Sequence, residues 1–277
     1  MGLRINTNVQ SLAAQRNLSQ TSQAQKSSIE KLSSGSRIVR SSDDAAGLAI
    51  SEKLRGQIRS IRQNSRNAND GVSMIQTAEG GMNEVGNILV RFRELAIQAA
   101  SDGIGDPERS FIDKEVQELK SEITRIAKSV QYNGNELLSG ELGPLELQIG
   151  QGNNADVDRF VFDPKDANVT ADHLGISGLS LTDKKTAQSS IEVIDDAMNS
   201  LSKGRAAMGA LQSRMQSAIN NLGIYEENLS ASRSRIADVD MASEAAELTK
   251  NSILSQTGIS VLSQANQNPT LALKLVG

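Results

Sequence analysis

The chain has 277 residues, a net charge of -4, no Cys, no Trp and only six aromatic residues. The missing Cys excludes disulfides, thiolate catalysis and Cys-based metal sites, and the acidic balance with interspersed signs excludes an overall nucleic-acid footprint. No apolar run approaches the ~20 residues of a membrane span, and Met1 to Ser11 lacks the basic head and apolar block of a secretory signal, so an exported role would need a different route.

From Leu3 to about Ser33, apolar residues are sparse (Leu3, Ile5, Val9, Leu12, Leu18, Ile29, Leu32), which predicts a weakly amphipathic helix that is poorly stable alone. Ser34-Gly35-Ser36 breaks it. Ser41-Ser42-Asp43-Asp44 then offers caps to a long helix reaching about Ala100. There Ile75, Ala78, Met82, Val85, Leu89, Phe92, Ala96 and Ala99 follow a 3-4 spacing that lays one apolar line along the helix. Gly80, Gly81 and Gly86 inside it predict close approach of another helix or a bend, since each costs roughly 1 kcal/mol relative to Ala.

The breaker cluster Ser101 to Pro107 ends this helix, with Pro107 placed to start a shorter one reaching about Val130. Asn133-Gly134 marks a turn. Beyond it the period falls to two, at Leu145, Leu147 and Ile149 and then Phe160 and Phe162, which predicts a β-hairpin across the loop Gly150 to Asn154. From Asp163 to about Thr186 the sequence reads as polar loop with short apolar pieces, Leu174 to Leu181 among them.

A second long helix returns the chain, with Ile194, Leu201, Met208, Met215, Leu222, Leu229 and Ile236 in strict steps of seven. Leu211, Ala218 and Tyr225 fill companion positions. A sustained heptad favours left-handed supercoiling against a partner, and the simplest partner is the first long helix. Asp238-Val239-Asp240-Met241 re-caps the chain into a last helix carrying Leu248, Ile253, Leu262 and Leu273. The fold expected is mainly α: an elongated antiparallel helical hairpin with terminal coiled-coil helices and a small β-hairpin. Terminal helices left outside the hairpin carry uncovered apolar residues, and another copy of the chain is the simplest cover.

Ordered motifs at both ends resemble bacterial flagellin along nearly the whole length. They are Leu3-Arg4-Ile5-Asn6-Thr7-Asn8, Lys31-Leu32-Ser33-Ser34-Gly35-Ser36-Arg37-Ile38, Asp43-Asp44-Ala45-Ala46-Gly47-Leu48-Ala49-Ile50 and Asn67-Ala68-Asn69-Asp70-Gly71. Gln76 to Gly80, Arg93 to Ala96, Glu227-Asn228-Leu229, Ser234-Arg235-Ile236, Asp238 to Ala242 and Gln264-Ala265-Asn266 continue them. The resemblance implies a secreted subunit of the swimming filament, exported unfolded by the flagellar type III apparatus without a cleaved signal. It implies terminal helices 1–40 and 238–277 paired in the filament core, a helical rod from 41–133 and 187–237, and a short central region, 134–186, with no separate outer domain. Its partners would be the chain itself, an export chaperone, and the filament cap and hook-junction proteins, with no nucleic acid and no membrane insertion. A hook–filament junction protein or an intracellular coiled-coil scaffold are the alternatives; a chemoreceptor hairpin would need membrane spans.

The expected self-assembly residues are Leu3, Ile5, Val9, Leu12, Leu248, Ile253, Leu262 and Leu273, and the expected rod seam is Ile75, Met82, Leu89, Phe92, Leu201, Met208, Met215, Leu222 and Leu229. By resemblance, Arg91, Leu95 and Glu115 match positions contacted by the flagellin-sensing Toll-like receptor; the alternative is that Leu95 packs inside and the charges are ordinary surface groups. Catalytic, cofactor and metal sites are not expected. The single His173 cannot build a zinc site, Gly103-x-Gly105 and Gly150-x-Gly152 read as turns, and Asp156 and Asp158 lack the Gly and bidentate Glu of a calcium loop. Arg55, Arg59, Arg62 and Arg66 form a basic line expected to meet acidic groups such as Glu226, Glu227, Asp238 or Asp240, in the returning half or in a neighbour.

Overall fold

The computed structural model describes the backbone of residues 7–276 and the side chains of residues 7–267. Its elements are α1 (Val9–Ser34), α2 (Ala45–Ala99), α3 (Asp106–Ser129), β1 (Gln131–Tyr132), β2 (Asn135–Glu136), β3 (Leu145–Gln148), α4 (Ala155–Asp158), β4 (Arg159–Phe162), α5 (Lys184–Ala237) and α6 (Met241–Val276). They divide into two compact units, one built from the described residues up to Ile58 and from Asn228 onward, the other from Arg59–Glu227.

In the unit of residues 59–227, α2 and α5 run antiparallel. Arg62 pairs with Glu226 at 2.6 Å, Gly71 lies against Met215, Gly86 against Leu201, and Arg93 pairs with Asp195 at 2.8 Å. Two contacts are reciprocal: Met215 of α5 fills the space over Gly71, and Met82 of α2 fills the space over Gly204. A thioether without a branch fits such a slot, so the helices can approach where a Cβ would stand in the way. Ile75, Ala78, Met82, Val85, Leu89, Phe92, Ala96 and Ala99 are all buried, and Val116, Ile123 and Ala127 of α3 join them. Of the three glycines expected to mark a close approach, Gly81 meets Leu138 and Val130, and Gly86 meets Leu201. Gly80 faces open space.

The turn between α2 and α3 is organised by a buried arginine. Arg109 donates to the Ala99 and Ser101 carbonyl oxygens at 2.8 and 3.0 Å and to the Asp106 carboxylate at 2.7 Å. It thereby satisfies carbonyls that the end of α2 leaves without a helical partner.

Asn133-Gly134 is more than a turn. With φ of 52 and 80 at the two residues, it closes a two-residue hairpin in which Tyr132 pairs with Asn135. The next two residues, Leu137 and Leu138, plug the core. The second hairpin is in the register Leu145↔Phe162 to Gln148↔Arg159, but its connection includes the short α4 and is longer than the loop read from the sequence. The largest departure is the stretch 163–183. It lacks regular structure, as expected, yet Ala167, Val169, Leu174, Ile176, Leu179 and Leu181 are buried. An irregular backbone can enter a core only when its polar groups find partners, and α3 supplies them. Asp113 accepts from the Leu181 N–H at 2.7 Å, Gln117 donates to the Leu179 carbonyl at 3.1 Å, and Lys120 to the Ser177 carbonyl at 2.7 Å.

In the other unit, α1 starts on the Asn8 side chain, which accepts from the Ser11 N–H, and stops at Gly35 in the left-handed region. The two expected capping aspartates divide the work. Asp44 accepts from the Gly47 N–H at the start of α2, whereas Asp43 accepts from the Arg40 and Val39 N–H groups and ties the preceding loop, which holds its carboxyl below the ordinary range. Where the chain returns, Ser36 and Asp238 form an isolated antiparallel bridge. The Arg37 N–H donates to the Ala237 carbonyl, the Val239 N–H to the Gly35 carbonyl, and the Arg37 guanidinium to the Ile236 carbonyl. Asp240 then caps α6 by accepting from the Ala242 and Ser243 N–H groups.

Candidate self-assembly surface

Helices α1 and α6 approach closely over most of their length. The facing positions of α1 are Ser11, Ala14, Leu18, Thr21, Gln25, Ser28 and Leu32; those of α6 are Glu244, Leu248, Asn251, Ser255, Gly258, Leu262 and Ala265. Both sets keep the 3-4 spacing of a coiled-coil seam, but small and polar residues outnumber the leucines. Small side chains allow a short interhelical distance: Leu18 lies over Gly258, the Asn8 amide donates to the Ala265 carbonyl at 2.8 Å, and the Ser11 hydroxyl donates to Asn266 at 2.7 Å. Lys31 and Glu244 stand 3.9 Å apart.

Four leucines, Leu18, Leu32, Leu248 and Leu262, stay in the seam, while other apolar side chains of the pair are turned elsewhere. Val9 is 66% exposed, Leu12 56%, Ile253 59% and Ile259 57%, and Ile29, Leu254 and Val261 are exposed as well. By helical steps Val9 and Leu12 fall on the side of α1 opposite its seam, and Ile253 does the same on α6. An ordinary two-helix coiled coil keeps nearly all such residues in the seam, whereas here the seam is mixed and the β-branched Val and Ile residues are outside. Each such side chain gains about 1.5–3 kcal/mol when fully covered, and within the pair that gain is left unrealised.

The expected assembly residues therefore separate into groups. Leu3 and Ile5 lie outside the described residues, and Leu273 lies where only the backbone is described. Val9, Leu12 and Ile253 are on the outer faces, while Leu248 and Leu262 are half-buried in the α1–α6 seam. Of the rod-seam residues, Ile75, Met82, Leu89, Phe92, Leu201, Met208 and Met215 are buried, and Leu222 and Leu229 are half-buried. The companion Tyr225 is 47% exposed.

Arg91 bridges Glu115 at 2.8 Å and Glu94 at 3.0 Å, and these carboxylates, Glu115 foremost, hold its guanidinium charged more firmly than usual. Leu95 beside them is buried. Asp158 is the centre of the loop after β3, where its carboxylate accepts from the Gly152 and Asn154 N–H groups. A Cβ at Gly150 would collide with it, so both glycines of Gly150-x-Gly152 fold around that side chain. Gly105 precedes α3 as its N-cap, and His173 is exposed in the stretch 163–183. Among the described residues, no group of His, Asp and Glu side chains is arranged to hold a metal ion, and no helix is long and apolar enough to cross a membrane. In the basic line, Arg62 meets Glu226 across the helices, Arg55 pairs with Glu52 on its own helix, and Arg66 reaches Gln63. Asp238 and Asp240 are used in the return bridge and the α6 cap.

Apolar periodicity does not reveal the polar half of this seam. Its mark in the sequence is a 3-4 recurrence of Ser, Ala, Thr, Gln and Gly between the leucines.

Comparison with known proteins places this architecture. Residues 5–142 match the model of the bacterial flagellin N-terminal helical region, and residues 191–276 match that of the bacterial flagellin C-terminal helical region. A flagellin of Halalkalibacterium halodurans is 42% identical, the match covering 98% of this chain and 99% of that protein. A flagellin of Bacillus subtilis is 40% identical over 99% of this chain and 100% of its own. Among solved structures, Bacillus cereus flagellin matches 57% of this chain and 88% of its own, with a TM-score of 0.50 and 29% identity.

Proposed function

The chain belongs to the bacterial flagellin family, structural proteins that polymerise into the extracellular flagellar filament, and on that premise we propose that α1 and α6 are its assembly elements. The chain is a filament subunit serving motility and is not an enzyme. One observation carries the assignment to these two helices: they meet through small and polar residues and leave Val9, Leu12, Ile253 and Ile259 exposed. Neighbouring copies cover those side chains as they join. Such a contact joins unlike patches on successive copies and repeats without closing, which yields a helical polymer.

In this reading residues 1–40 and 238–277 line the filament core, 41–133 and 187–237 form the rod outside it, and 134–186 is the short central region. Export proceeds unfolded through the flagellar type III apparatus. A chain without Cys, with four prolines and few aromatics, suits passage through a narrow channel. The exposed apolar residues of α1 and α6 need covering before assembly, which is the task of an export chaperone, and the same faces at the filament's two ends meet the cap and hook-junction proteins. Recognition by a Toll-like receptor would rest on the exposed Arg91–Glu115 pair, because Leu95 is buried.

Seeded polymerisation followed by negative-stain electron microscopy tests the assignment. Full-length chain should extend seeds into long tubes, and a version lacking 1–35 and 242–277 should stay soluble. Equal assembly of the two versions would refute it.

A further inference from the structure

We propose that the unit of residues 59–227 carries a head-to-tail docking pair, in which an arginine face around Arg59 and Arg66 of one copy meets the carboxylates Glu192 and Asp196 of the next. The inference rests on the filament reading and adds to it a second contact of different chemistry, away from the terminal helices.

Arg59, Arg62 and Arg66 lie on one exposed face of α2, at spacings of three, four and seven residues. Like charges so placed on a helix repel one another. Among the described residues only Arg62 of the three is neutralised, by Glu226 at 2.6 Å. Arg66 reaches the neutral amide of Gln63, and Arg59 has no ion pair among the described residues. A second strained cluster of the opposite sign lies on α5. Glu192 and Asp196 are one helical turn apart, both exposed and, among the described residues, both without an ion pair, and Asp195 between them is taken by Arg93.

The two clusters cannot relieve each other within one copy. Arg62 is level with Glu226 and Arg93 is level with Asp195, and the 31 residues of α2 from Arg62 to Arg93 rise about 47 Å. Arg59 and Arg66 thus lie toward one end of a compact unit, where Asp70 on α2 and Glu227 beside Glu226 are exposed carboxylates, and Glu192 and Asp196 lie toward the other. When copies stack head to tail, each cluster meets its complement and both repulsions end. This is also the arrangement that guides the incoming subunit in the correct polarity, since the opposite orientation would bring like charges together. Exposed charges of this kind are screened by salt, so the contact should matter most at low ionic strength.

The test is a charge swap read by elongation rate, with nucleation by polyethylene glycol so that no wild-type seed is needed. Arg59→Glu with Arg66→Glu, and separately Glu192→Lys with Asp196→Lys, should each slow growth about tenfold or more at low salt. Combining all four substitutions should restore most of the rate, because the complementarity is then rebuilt with signs exchanged. Neutral variants Arg59→Gln and Glu192→Gln, which place no new charge on the surface, should flatten the salt dependence of growth. Circular dichroism of each monomer checks that the fold is retained. If wild type grows and the single-patch reversals grow equally fast, or the fourfold swap fails to recover, the docking pair is refuted while the filament reading stands. If the wild-type chain itself forms no tubes under these conditions, the filament reading falls and the docking pair falls with it.

Discussion

Two neighbouring glycines of α2 should respond in opposite directions to the same added methyl group. An alanine at either position gains helix propensity worth about 0.8–1 kcal/mol. At Gly80 the space around the new Cβ is empty for 4 Å, so Gly80→Ala should stabilise the subunit by about 0.5–1 kcal/mol, partly by restricting the unfolded chain. At Gly81 the Cβ would lie 2.6 Å from Leu138 Cδ1 and 2.7 Å from Val130 Cγ2. Leu138 is wholly buried and has nowhere to swing, and the β-branched Val130 is stiff at χ1. Overpacking of this kind costs roughly 1–3 kcal/mol, so the net effect of Gly81→Ala should be a loss of about 0.5–2 kcal/mol. Urea unfolding followed by far-UV circular dichroism reads both, and the midpoints should move apart on either side of wild type. If both alanines stabilise, Val130 and Leu138 are not packed against α2 as described.

Three further outcomes follow from the same geometry. Arg109→Lys keeps the charge but loses the fork that reaches Ala99, Ser101 and Asp106, and should cost about 1.5–3 kcal/mol in a thermal melt, with amide exchange rising across 100–108. Asp113→Ala leaves the Leu181 N–H without its acceptor, so limited proteolysis should cut within 163–183 well before it does in wild type. Asp43 accepts from the Arg40 and Val39 N–H groups, which depress its pKa. The stability it contributes is therefore fully present above the unfolded carboxyl's pKa and is lost as pH falls through the lower folded value. An NMR titration should show the Arg40 and Val39 amide shifts turning at a lower pH than those beside an unbonded aspartate, and Asp43→Asn should abolish that transition.

How much of this was legible from the amino acids depended on where side-chain chemistry repeats. The α2–α5 seam was open to reading because Ile194, Leu201, Met208 and Met215 recur in heptads and the α2 residues recur in threes and fours, and burial enforces both. Breakers and caps were equally plain: Gly35 ends α1, Pro107 opens α3 and Asp240 opens α6. Three features were not visible in that way. The stretch 163–183 looks polar, and its burial depends on Asp113, Gln117 and Lys120, which lie some sixty residues earlier in the chain. The β1–β2 hairpin is only two pairs long, too short for any period to show. In the terminal pair the usual rule holds only in part, with Ser28, Asn251 and Gly258 in the seam beside the leucines and Ile253 outside. On the proposed assembly, packing between subunits would account for the outward apolar residues, which packing within one subunit leaves uncovered.

The most direct test of that claim is the elongation rate of a Leu12→Gln, Ile253→Gln variant on wild-type seeds, measured beside the thermal melt of its monomer. Both side chains are more than half exposed, so the melt should shift little while elongation falls at least about tenfold, since covering even one such side chain is worth about 1.5–3 kcal/mol. Elongation at the wild-type rate with an unchanged melt would contradict the account and would return Leu12 and Ile253 to the ordinary surface.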